Sequence, residues 1–182
     1  MPGYVALLRG INVGGKNKVA MADLRAIAES LGYGGVSTYI QSGNLIFTSD
    51  DGDTGAMAAA LRERIAERLG IRPDVVVLSR DELAEAVASN PFPGAVSPKS
   101  LHAIFRDREL DAAEMDAVNQ IQQRAREGGS PDEVKVIGRT SYLHTPNGIG
   151  RSKLAAMLSS RLKDGTARNW ATVTKLLEML NE

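Results

Sequence analysis

The sequence, 182 residues long, contains no cysteine. Disulfides, thiolate zinc sites and cysteine nucleophiles are therefore excluded. Histidine is nearly as scarce. His102 and His144 are the two present, neither with an acid or a second histidine at ligand spacing, so no metal site is expected. Aromatic residues make up only 4% (Phe 3, Tyr 4, Trp 1), and the aromatic motif of RNA-recognition domains is missing. Net charge is zero, with 22 basic against 22 acidic side chains, so no long-range field steers the whole molecule toward nucleic acid. No apolar run approaches the ~20 residues a membrane helix needs. The first residues lack the basic and apolar regions of a signal peptide. These absences make a soluble cytoplasmic protein without a membrane partner the expectation. Its length suits one domain or two small ones, with enough hydrophobic residues for a sizeable core.

What is present is unevenly spread. Residues 1–22 hold Arg9, Lys16 and Lys18 and no acid. Residues 107–133 hold eight acids against three arginines, and residues 134–177 hold eight bases against Asp164 alone. Two readings stand: ordinary variation among solvated faces, or two basic segments that converge on one ligand. The stretch 9–18, RGINVGGKNK, carries the most chemistry, with three glycines, two asparagines and three cations. Such a loop can turn backbone N–H groups and cations toward one anion. Its Gly10-x-x-x-x-Gly15-Lys16 spacing matches a P-loop, yet Asn17 stands where Ser or Thr would bind Mg²⁺. Asp107 is the sole weak candidate for a Walker B acid. A loop shaped only by turn geometry, or an anion site of another type, remains.

Periodicity gives the elements. Residues 4–8 read as a buried strand, and Leu24, Ile27, Ala28 and Leu31 recur on one helical face. Residues 36–40 and 45–48 read as strands joined by a polar QSGN, with Ser42-Gly43 as a two-residue turn. Met57, Leu61, Ile65 and Leu69 mark a helix closed by Gly70, and residues 75–78 a further strand. The order β-α-β-β-α-β is that of the ferredoxin-like unit, with one sheet face under two helices and the other open. Ser79 and Glu82 form a capping box for a short helix over residues 80–88. Three prolines and a glycine within residues 90–98 mark an extended linker. The second half repeats the order as β-α-β-β-α without the last strand, then adds a helix capped by Asn169 or Thr166. The expected fold is α+β, two ferredoxin-like α/β-sandwich subdomains: residues 1–89, a linker 90–100, and residues 101–182.

Further motifs are weaker. Arg151 and Lys153 open a helix against its dipole, a cost that a bound anion would remove and that solvation also relieves. Trp170 beside a helix start reads as a core anchor before a stacking platform. Ser160-x-x-Lys163 matches an S-x-x-K spacing whose partner motifs are missing.

RGINVGGKNK (9–18), TYIQSGNLIF (38–47), NPF (90–92) and T-x-RNW-x-T (166–172) together resemble the bacterial family known as domain of unknown function 1697. The resemblance spans nearly the whole chain and implies two small ferredoxin-like α+β subdomains, with no activity or cofactor to transfer. Matching positions are Arg9, Gly10, Asn12, Gly14, Gly15, Gln41, Ser42, Gly43, Asn44, Arg168, Asn169, Trp170 and Thr172. The leading expectation is a binding site for a small anionic ligand, a nucleotide or phosphorylated metabolite. Arg9 and Lys16 would supply charge, Gln41 and Ser42 hydrogen bonds, and Gly14, Gly15, Gly43 and Asn44 backbone approach, with Asn12 in the same set; Asn12 and Asn17 also suit left-handed turn positions. Arg168 and Asn169 would complete it from the second half. The alternatives are a nucleic-acid-binding module using the open sheet face, an enzyme without a nameable catalytic residue, and a protein adaptor. Oligomeric state is not legible.

Overall fold

The structure, a computed structural model, describes residues 1–95 and 97–182. Val96, within the proline-rich linker, lies outside the described residues. The chain forms two compact units, Met1–Glu85 with Lys175–Glu182, and Ala86–Thr174.

The first unit contains β1 (Gly3–Arg9), α1 (Met21–Ser30), β2 (Gly34–Tyr39), β3 (Asn44–Thr48), α2 (Thr54–Leu69) and β4 (Asp74–Ser79). Its sheet order is β2-β3-β1-β4, every pair antiparallel, which is the ferredoxin-like arrangement. Strand alternation sends Tyr4, Ala6 and Leu8 to one face with Leu45, Phe47, Val75 and Val77. There they meet Leu24 and Ile27 of α1 and Met57, Leu61 and Ile65 of α2. Each such side chain contributes about 1.5–3 kcal/mol on burial. Asp53 caps α2 by accepting from the Ala56 N–H at 3.0 Å, and Gly70 closes it in the left-handed conformation. The next helix, α3 (Arg80–Ala88), starts in the expected capping box: Glu82 N–H donates to Ser79 Oγ at 3.1 Å and Ser79 N–H to Glu82 Oε2 at 2.8 Å.

The second face of this sheet is not open, contrary to the sequence expectation. Val5 and Leu7, which alternate with the core residues, are 0% exposed, and Ile46, Val76 and Leu78 on the same face are also buried. Periodicity identified an apolar β1, but a run apolar on both faces means burial on both sides.

The second unit contains β5 (Leu101–Phe105), α4 (Ala112–Glu127), β6 (Glu133–Ile137), β7 (Thr140–His144), α5 (Lys153–Arg161) and β8 (Thr166–Asn169). Its order is β6-β7-β5-β8, again antiparallel throughout. The expectation that this half lacks its last strand is corrected. β8 pairs with β5 from His102↔Asn169 to Phe105↔Thr166, so both halves share the same strand plan. The final helix α6 (Trp170–Leu180) follows β8 directly, as α3 follows β4. Asn169 is its cap, its Oδ1 accepting from the Thr172 N–H at 2.9 Å. Among the described residues, no helix is long and apolar enough to cross a membrane.

Candidate functional site

Loop 9–18 leaves the end of β1 and folds into a small exposed finger. Val13 and Lys16 bridge each other, with the Lys16 N–H donating to Val13 O at 3.0 Å. Gly14 and Gly15 between them both have positive φ (58° and 73°), the requirement of a tight primed hairpin turn. Asn12 N–H donates to Asn17 O at 3.1 Å one step further down. Asn12 and Asn17 also hold positive φ, 54° and 50°, a conformation that asparagine tolerates. The asparagine side chains brace the base. Asn17 Nδ2 donates to Gly10 O at 3.1 Å, and Asn12 Oδ1 accepts from the Val19 N–H at 2.8 Å.

Asn12 Nδ2 reaches across to Gln41 O at 2.8 Å as well as to Val19 O at 3.0 Å. That bond ties the finger to the connection between β2 and β3. The Leu8 N–H donates to Gly43 O at 2.9 Å beside it. The connection is four residues long, 40–43, because Tyr39 pairs with Asn44; the expected two-residue turn on Ser42-Gly43 is corrected. Ile40 stands inside the turn at φ 50°, not in the strand. Gly43 has φ 89°, and a Cβ there would come within 2.8 Å of Ile11 Cδ1 and 2.9 Å of Leu8 Cβ. Only glycine permits this approach. Asn44 is fully buried, its Nδ2 donating to Tyr39 O and Ser42 Oγ, both at 3.0 Å.

The candidate residues of the first unit therefore come together, with divided roles. Asn12, Gly43 and Asn44 build the joint; Gly14, Gly15, Lys16 and Lys18 are presented to solvent. Arg9 lies opposite Asp74 at the edge of the β1–β4 ladder, with its side chain exposed. Among the described residues, the ammonium groups of Lys16 and Lys18 and the amides of Gly14 and Gly15 have no partner. Lys16 sits on the returning arm of the finger, and α1 begins five residues later, so the chain does not wrap a phosphate as a P-loop does.

In the second unit Arg168 points to the same face as Tyr142 and is 9% exposed. Its Nη1 donates to Ala167 O at 2.9 Å, and burial lowers its pKa to about 10. Asn169 serves the α6 cap, and Trp170 lies tilted against Tyr142 with ring centroids 6.3 Å apart.

Sequence periodicity did not reveal a charged cluster in this unit. Arg106, 4% exposed, donates from Nη1 to Ser141 Oγ at 2.7 Å, while its Nε faces Asp164 at 3.5 Å, too long for a good hydrogen bond. Burial lowers its pKa and Asp164 opposes that shift. Arg108 grips Glu114 in a fork at 2.8 and 2.9 Å and reaches Asp164 at 3.1 Å. The Arg108 bonds, then the Asp111 N–H, hold Glu114 down to about pKa 2. The Asp111-x-x-Glu114 pattern was the available signal. His102 has its Nδ1 buried without a partner, and burial lowers its pKa. Among the described residues, no group of three His, Asp or Glu could hold a metal ion.

The family profile described as Protein of unknown function (DUF1697) matches residues 1–142. No curated protein matches the chain. A solved structure titled as that of the conserved bacterial protein SP0830 from Streptococcus pneumoniae is similar at a TM-score of 0.69 and 25% identity, covering 98% of both chains.

Proposed function

The chain belongs to the family described as Protein of unknown function (DUF1697), and from that premise we propose that it binds a small anionic ligand, a nucleotide or phosphorylated metabolite, on loop 9–18. The Asn12 Nδ2 bond to Gln41 O at 2.8 Å carries the reading. It makes a short exposed finger into a braced support, so the backbone that carries Lys16, Lys18 and two unbonded glycine amides is held in place before any ligand arrives. Preorganised donors lose less entropy on binding than a floppy loop would. With no carboxylate in the loop itself, nothing there competes with an incoming anion. The lack of cysteine fits a cytoplasmic setting, where such ligands are abundant. Nucleic acid bound through an open sheet face has no support, because that face is buried.

Isothermal titration of the full chain against nucleotides and sugar phosphates tests the reading. At least one compound should bind saturably, and Lys16→Ala with Lys18→Ala should weaken it by about tenfold or more, the scale of a lost charge-assisted contact. Identical titrations of wild type and variant with every compound would refute it.

A further inference from the structure

A second feature, in the other unit, points to a different ligand contact. The end of α4, the loop into β6, and the start of α5 surround a groove of about 580 Å³. Ligand sites commonly fall in the range ~300–1,000 Å³. Ala125, Ala156 and Met157 give it apolar lining, while Arg124, Arg151 and Lys153 supply three cations and Asp132 one carboxylate. None of the three cations forms an ion pair or side-chain hydrogen bond among the described residues.

The arrangement is unfavourable as it stands. Arg151 and Lys153 flank Ser152, whose Oγ caps α5 by accepting from the Ala155 N–H at 3.0 Å. Both cations therefore stand at the positive end of that helix, and they also repel each other. An anion in the groove reverses the sign of both effects. Asp132 is the independent second observation. It is 5% exposed, and its backbone is pinned, the N–H donating to Ser130 Oγ at 3.2 Å and the carbonyl accepting from Gln122 Nε2 at 3.0 Å. Its carboxylate has no partner among the described residues. Asp132 lines the groove, so a hydroxyl of a molecule seated there can donate to its carboxylate.

We propose that this groove binds a small phosphate monoester bearing hydroxyl groups, the phosphate against Arg151, Lys153 and Arg124 and a hydroxyl against Asp132. The site is independent of loop 9–18. Ribose 5-phosphate is the probe, with inorganic phosphate as the comparison, followed by amide NMR of the full chain. Saturable shifts are expected at Gly129, Gly148 and Lys153. Arg151→Ala with Lys153→Ala, both exposed positions, should raise Kd for both compounds about tenfold or more. Asp132→Ala removes the hydroxyl acceptor together with a charge that repels any phosphate, so it should weaken ribose 5-phosphate relative to inorganic phosphate. Lys16→Ala with Lys18→Ala should leave the groove's Kd unaltered, which separates this site from the one on the finger. Shifts confined to Gly14 and Gly15, no saturable shift at the groove, or an unchanged Kd in the Arg151/Lys153 variant would each overturn the assignment.

Discussion

Ile40 is the residue whose chemistry and conformation disagree most. It is β-branched, it holds φ 50°, and it is 51% exposed. The left-handed region costs an L-residue on the order of 1–2 kcal/mol, and an exposed side chain returns little of that through burial. Asparagine adopts this conformation readily. Ile40→Asn should therefore raise stability by about 1 kcal/mol in urea denaturation; a loss of stability would show that Ile40 packs in a way its exposure conceals. The same residue conceals the turn. Isoleucine favours strands, so residues 36–40 read as one strand and the turn shrank to Ser42-Gly43. By contrast Asn12, Gly43 and Asn44 stood out as polar or glycine positions, although their joining roles became clear only when the turn was seen against the finger.

Elements with a full helical or strand period were legible, and those without one were not. α2 shows apolar residues every fourth position and a glycine end. β8 has four residues, and its buried side alternates Thr166 with Arg168, so hydropathy hides it. Its partner β5 hides a similar feature, with Arg106 beyond its end buried against Ser141. The start of α4 carries the clearest electrostatic consequence. Glu114 is held to about pKa 2 against an ordinary value of 4.5, first by Arg108 and then by the Asp111 N–H. A depressed carboxyl favours the folded state fully above its unfolded pKa, and that contribution fades as pH falls through 4.5 toward 2. Urea denaturation of wild type and Glu114→Gln should show wild type ahead at neutral pH, with the gap closing across that window. A gap that stays constant with pH would mean that the Arg108–Glu114 fork does not stabilise α4.

At the scale of the whole chain, sequence order conceals which residues belong together. Val173, Leu176, Leu177 and Leu180 announce an amphipathic helix, but an apolar stripe does not name what it covers. The first unit is discontinuous: its final segment is Lys175–Glu182. Within that unit, Leu180 Cδ2 lies 3.2 Å from where a Cβ on Gly3 would stand, and Arg80 Nε donates to Asn181 Oδ1 at 2.7 Å. Leu176 is 1% exposed. Ending the chain after Thr174 removes these contacts from the β1 and α3 side of the unit while leaving every strand of both sheets intact. Stability should fall by about 2–5 kcal/mol, the scale of one or two buried leucines. Amide exchange should accelerate first at the start of β1 and the end of β4, because Leu180 lies against Gly3 and Asn181 bonds Arg80 just after β4. If β1 kept its full protection in the shortened chain, the segment would be dispensable to the sheet.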